Sequence, residues 1–211
     1  MYLSLGSCLM KIRSVLTHVL LCLGLTSLLG ACGPKAFVKG EYENAEKENL
    51  LNDQWSETDM QNAVKDLVGS LLAHPDVSKS ATRPIFIITQ LQNKTSEHID
   101  TQSVMDSVRV EIMKTGKVNF IDKEAREDIA KEYEYENSGA VSQATKKSAG
   151  DQVGADYILN GRLDSIVQEV GKDKTVFYKL TLNLTNLKSS MIVWSDHKQM
   201  RKDFKKKTIG L

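Results

Sequence analysis

The sequence predicts an α/β domain: a mixed sheet of about 4–5 strands flanked by helices, with an antiparallel meander at its C-terminal end. Three observations lead there. Met60, Ala63, Val64, Leu67, Val68, Leu71 and Leu72 recur at i, i+3, i+4 and i+7, the pattern of a helix with one buried stripe. Val176, Tyr178, Leu180, Leu182 and Leu184 alternate with Phe177, Lys179, Thr181, Asn183 and Thr185, a period of two that specifies a strand with one buried face. Two β-branched runs, 84–88 and 118–121, are separated by a second helical pattern, as in strands joined through a helix. With 211 residues, 41% of them apolar and 26% charged, and only three prolines, the chain can build one ordinary core and is neither disordered nor a multi-span membrane protein.

The N-terminus reads as an address. From Met10, Lys11 and Arg13 precede the carboxylate-free apolar run Val15 to Leu29. At about 15 residues that run is shorter than the roughly 20 a spanning helix needs, and it has no polar stripe, so it reads as a signal peptide over 1–31. Translation from Met1 and from Met10 both remain open. Leu29-Gly30-Ala31-Cys32 resembles the bacterial lipobox, which implies cleavage between Ala31 and Cys32 and acylation of Cys32. Cys8 and Cys22 would leave with the signal, so Cys32 would be the one mature thiol and no internal disulfide is expected. Several acyl chains would moor the protein far more firmly than one. Gly33 rather than an aspartate after the cysteine resembles the enterobacterial pattern for the outer membrane, with the domain facing the periplasm.

Residues 32–54 read as the lipidated end and a short tether, rich in Gly, Glu, Lys and Asn without apolar period. A globular domain is expected over 55–200 and a basic tail over 201–211. Within the domain, Thr58 with Gln61 resembles a capping box for the first helix, which Pro75 ends. The run 84–88 is a buried strand leading into Gln90 to Asn93, and Asn93-Lys94-Thr95 suits a turn made by side-chain to backbone hydrogen bonds. Asp100 caps a second helix through Met113, stopped at Gly116. After the strand 118–121, Asp122 caps an acidic helix to about Tyr135, and a small-residue helix is expected over 142–152. Three strands follow, 157–170, 176–185 and 191–195, joined by turns at 171–174 and 188–190.

Chemistry is sparse. Net charge of +1 opposes a nucleic-acid partner, whose phosphates need a surplus of bases. His74, His98 and His197 have no second ligand at metal spacing, and neither a Gly-x-Ser-x-Gly elbow nor a phosphate loop is present. No catalytic residue, metal, cofactor or small-molecule substrate is expected. Two charged segments are candidates for docking a partner: the acidic helix through Glu127 and Glu132, and the basic tail through Lys205 and Lys206.

The order of segments resembles the LpoB family. The resemblance rests on Trp55, Asn93-Lys94-Thr95, Thr115-Gly116-Lys117-Val118, the run Val153 to Leu159, and Ile192-Val193-Trp194-Ser195. It implies an outer-membrane lipoprotein, not an enzyme, that binds and activates a class A penicillin-binding protein in peptidoglycan synthesis. The domain is also similar to the periplasmic parts of CsgG-like and FlgO-like lipoproteins, which implies a secretion or flagellar role instead.

Overall fold

The computed structural model describes residues 40, 42–48, 50–147 and 150–206. The lipobox with Ala31 and Cys32, part of the tether, and the last five residues of the expected tail lie outside them. Every element below belongs to one unit, Ala45–Leu211.

Helix α1 spans Glu57–Ala73 and turns Ala63, Val64, Leu67, Val68 and Leu71 inward. Its cap is Ser56, not Thr58. Ser56 is extended (φ −123°, ψ 168°), its hydroxyl accepts the Asp59 N–H, and the Asp59 carboxylate accepts the Ser56 N–H at 2.8 Å. Asp59 thus stands in the box where Gln61 was expected. His74 ends the helix, and Pro75 opens a further short turn of helix, α2 (Pro75–Ser78), at a position where its missing N–H costs nothing.

Strand β1 (Ile85–Lys94) carries a register shift between Ile88 and Leu91. Helix α3 (Thr101–Lys114) begins at Asp100, whose carboxylate accepts from Gln102 and Ser103, and stops before Gly116 at φ +66°. Strand β2 is only Asn119–Phe120. The acidic helix α4 (Arg126–Tyr135) buries no residue. Asp122 does accept the N–H groups of Glu124 and Ala125, but it caps a turn that precedes the helix proper.

The expected helix over 142–152 is absent among its described residues. Ser142 instead closes one turn, its carbonyl accepting from Thr145 and Lys146. The segment has no large apolar stripe to repay ordering, and Gly150 sits at φ +112°. Residues 148–149 lie outside the described ones.

The meander consists of β3 (Tyr157–Val170), β4 (Asp173–Asn186) and β5 (Ile192–Lys205). Sheet order is β2-β1-β3-β4-β5, with β1 parallel to β2 and β3, and β4 antiparallel to both neighbours. The fold is therefore α/β with a mixed sheet, as the patterning predicts. Gly161 in β3 leaves no room for a side chain between its neighbouring strands: a Cβ there would lie 2.6 Å from Leu182 and would also strike the Thr181 carbonyl.

Strand β5 is far longer than the expected 191–195, and it absorbs residues 201–205 of the expected tail. The reason is its inward face, where Asp196, Lys198 and Lys202 stand in line with Trp194 and Met200. Asp196 accepts from Ser70 at 2.5 Å, Lys198 pairs with Asp66 at 2.5 Å, and Lys202 pairs with Asp59 at 2.5 Å. Positions 59, 66 and 70 fall on one face of α1, and 202, 198 and 196 on one face of β5. Helix and edge strand are thus joined by a polar seam, which also hides inward-pointing charges of the kind that keep sheet edges from aggregating.

One face of the sheet carries the core: Phe86, Leu91, Leu159, Leu163, Val176, Tyr178, Leu180, Leu182 and Leu184 are all at most 1% exposed. α1 packs on β5 and α3 on β1 over that face.

Candidate docking site

The tether enters the domain under a clip. Asp53, Gln54 and Trp55 each lend a backbone group: the Tyr178 hydroxyl lies 3.1 Å from the Asp53 carbonyl, Lys202 donates to the Gln54 carbonyl at 2.7 Å, and the Trp55 N–H donates to Glu97 at 2.9 Å. The Trp55 ring stands edge-on to Tyr178 at 5.5 Å. Glu97 also takes the Tyr178 hydroxyl, and Lys174 pairs with the Asp53 side chain. The Asn93–Thr95 turn holds Glu97 in place, since the Thr95 N–H donates to Asn93 at 2.9 Å and the Asn93 amide to the Glu97 carbonyl at 2.8 Å.

These contacts shift titrations in definable directions. Burial, then the hydrogen bond to Glu97, push the Tyr178 hydroxyl far above the usual phenol range. The hydrogen bond from Lys174 holds the Asp53 carboxyl below the usual carboxylate value, and that from Ser70 does the same for Asp196. A groove of about 590 Å³ adjoins the clip. Glu97 on its wall is committed to the clip and Asp100 to the cap of α3.

Among the described residues nothing covers the opposite face of the meander. On β4, Thr175, Phe177, Lys179, Thr181, Asn183 and Thr185 are half-buried, shaded only by strand neighbours. The row Ile166, Phe177, Arg201 runs straight across the three strands. A depression of about 380 Å³ lies over it, edged by Gln168, Thr175 and Asp203. Such a face, flat and polar with a central aromatic and guanidinium, suits a macromolecular partner rather than a small substrate.

The candidates from the sequence fall in two places. Glu127 and Glu132 are exposed on α4, where Glu127 pairs with Lys131 at 3.1 Å. Lys205 ends β5 opposite Asp173 at 3.8 Å, and Lys206 follows, 3.6 Å from Glu169. The fold brings the two lysines together against the β3–β4 hairpin and leaves the two glutamates on a separate element. Sequence reasoning missed the Ile166–Phe177–Arg201 row. Phe177, the large apolar residue on a strand's polar face, was the available signal.

Among the described residues no group of three His, Cys, Asp or Glu side chains could hold a metal ion, and no helix is long and apolar enough to cross a membrane. His74 caps α2, and His197 contacts Gln199 at 3.1 Å.

A family model described as the peptidoglycan-synthase activator LpoB matches residues 59–200. Among solved structures, the chain is similar to the LpoB C-terminal domain from Salmonella enterica, at 15% identity and TM-score 0.44, covering 67% of this chain and 98% of that one. The LpoB C-terminal domain from Escherichia coli gives 15% identity and TM-score 0.43 with the same coverages of 67% and 98%. Lipoprotein GNA1162 from Neisseria meningitidis gives 11% identity and TM-score 0.38, covering 57% of this chain and 83% of that one. No curated protein matches. By the family model, which spans more than half of its length, the chain belongs to the LpoB family of peptidoglycan-synthase activators.

Proposed function

We propose that this chain is an outer-membrane lipoprotein, acylated at Cys32, whose domain docks onto a class A penicillin-binding protein and raises its rate of peptidoglycan synthesis. The observation that carries this reading is the family match over 59–200. The lipobox supports the anchoring, and the open, polar sheet face supports a docking role. Activation of this kind is a population shift: the domain favours the active synthase to the extent that it binds that form more tightly.

The clip sets the reach. If the tether ends at Asp53, about 21 residues separate it from Cys32, a span of at most roughly 70–75 Å and an average near 25 Å. The synthase's regulatory part must come within that distance of the anchoring membrane. A secretion-pore reading is not favoured, because it needs lipid-facing hairpins, whereas the β3–β4 hairpin spends Leu163, Val176, Tyr178 and Leu180 on the core.

The test is polymerisation of lipid II by the detergent-solubilised synthase with and without the full chain. A several-fold rise is expected, and an unchanged rate at every ratio would overturn the reading. The Cys32→Ser variant should move from the membrane to the soluble fraction.

A further inference from the structure

We infer that the Ile166–Phe177–Arg201 row is the anchor of the docking surface, and that the surface of the synthase it meets presents a carboxylate beside an apolar side chain. This rests on the function proposed above. The three side chains share one register row and one face, so neighbours lie about 4.5–5.5 Å apart at Cβ.

The charges around the row argue for the sign of the partner. Arg162, Lys179, Arg201 and Lys205 stand on this half of the face with the carboxylates of Asp164, Asp173 and Asp203. All three carboxylates are engaged: Asp164 with Arg162 at 3.0 Å and Lys179 at 4.0 Å, Asp173 with Lys205 at 3.8 Å, and Asp203 with the Thr175 hydroxyl at 2.6 Å. Arg201 is the cation left over. No carboxylate among the described residues pairs with it, and it stands beside Phe177 on an exposed strand.

Arg201 lies directly across the ladder from Phe177, and its guanidinium offers a rigid fork that a carboxylate fills with two hydrogen bonds. Ile166 is 58% exposed, a large apolar group on the open side of the sheet. An aromatic and an arginine beside an exposed aliphatic, rimmed by the polar Gln168, Thr175 and Asp203, match the enrichment of aromatic residues and arginine at protein interfaces. A larger cleft, about 940 Å³ between α1 and α3, has an apolar floor of Met60, Val64 and Val110 but, among the described residues, neither an aromatic ring nor an arginine lines it.

The experiment compares the full chain with Arg201→Glu, Arg201→Lys and Ile166→Glu, and with Lys114→Glu on α3 as a charge reversal elsewhere. Binding to the solubilised class A synthase is measured from 50 to 300 mM salt, with melting curves to show that each variant folds. Losses of at least 10-fold for Arg201→Glu and Ile166→Glu, a smaller loss for Arg201→Lys, none for Lys114→Glu, and a flatter salt dependence without the guanidinium are expected. If the wild type binds and Arg201→Glu with Ile166→Glu bind equally well, the inference falls and the proposed function stands. If Glu127→Lys with Glu132→Lys abolishes binding instead, the surface is α4 and the inference falls. A variant that keeps synthase binding but no longer sediments with purified peptidoglycan sacculi would assign the row to glycan and also overturn it. If the wild type binds no class A synthase, the proposed function fails, and the inference with it.

Discussion

The Lys202 ammonium lies 2.7 Å from the Gln54 carbonyl and 2.5 Å from the Asp59 carboxylate, so one side chain near the end of the chain fastens both the tether exit and the first helix. Lys202 is only 5% exposed. A buried cation in that position is stable only while its partners are in place.

Replacing Lys202 by Met should leave the Asp59 carboxylate uncompensated and free the strap at 53–55. A loss of about 3–5 kcal/mol is expected from breaking a buried pair on one side. Urea denaturation checks the magnitude. Faster proteolysis between 45 and 54 under native conditions checks the strap, and an unchanged cleavage rate would separate the strap from the ion pair.

Tyr178 should stay protonated in the folded domain through the range where an ordinary tyrosine, with its value of 10.0, ionises. Its folded value is raised above the unfolded one, so its contribution is complete below about pH 10 and is lost as the pH rises beyond that, where only the unfolded chain releases the proton. Denaturation midpoints from pH 8 to 11 should fall more steeply for the wild type than for Tyr178→Phe. That variant should itself lose about 1–3 kcal/mol at neutral pH by leaving Glu97 without the hydroxyl.

At the acid end the sign reverses. Asp53 and Asp196 titrate below the carboxylate value of 3.8, so the stability they confer is present above that value and disappears as the pH falls through their depressed ones. Ser70→Ala should raise the Asp196 titration, read from its side-chain carboxyl signal by NMR, and should weaken the dependence of unfolding on acid.

Gly161→Ala should be costly although the residue is small, because the added methyl meets Leu182 and the Thr181 carbonyl in the middle of the meander. About 1–3 kcal/mol is expected, as for overpacking elsewhere. Alanine at Gly154, where nothing lies within 4 Å of an added Cβ, should change the melting temperature far less.

Periodicity read α1, α3 and β4 correctly because their inward residues are apolar, and hydropathy reports exactly such residues only when burial and apolarity coincide. They part company in β5. Asp196, Lys198 and Lys202 point inward, so the pattern predicts a strand only over 191–195 with a basic tail from 201, and the full length is visible only with Ser70, Asp66 and Asp59 opposite them. The same blindness hid the clip, whose members Asp53, Glu97, Tyr178 and Lys202 come from four distant segments. The Asn93–Thr95 turn was legible, since its hydrogen bonds are local; that it aims Glu97 at Tyr178 was not.

The amino-acid sequence alone determined the α/β class and the order in the chain of α1, α3, α4 and the five strands, because each is a matter of local composition and spacing. Tertiary structure alone decided which charges are buried, where the tether ends and which row of side chains stands open on the sheet. Those depend on which distant segments face each other, and a polar residue is stabilised inside only by a partner that the local pattern does not name.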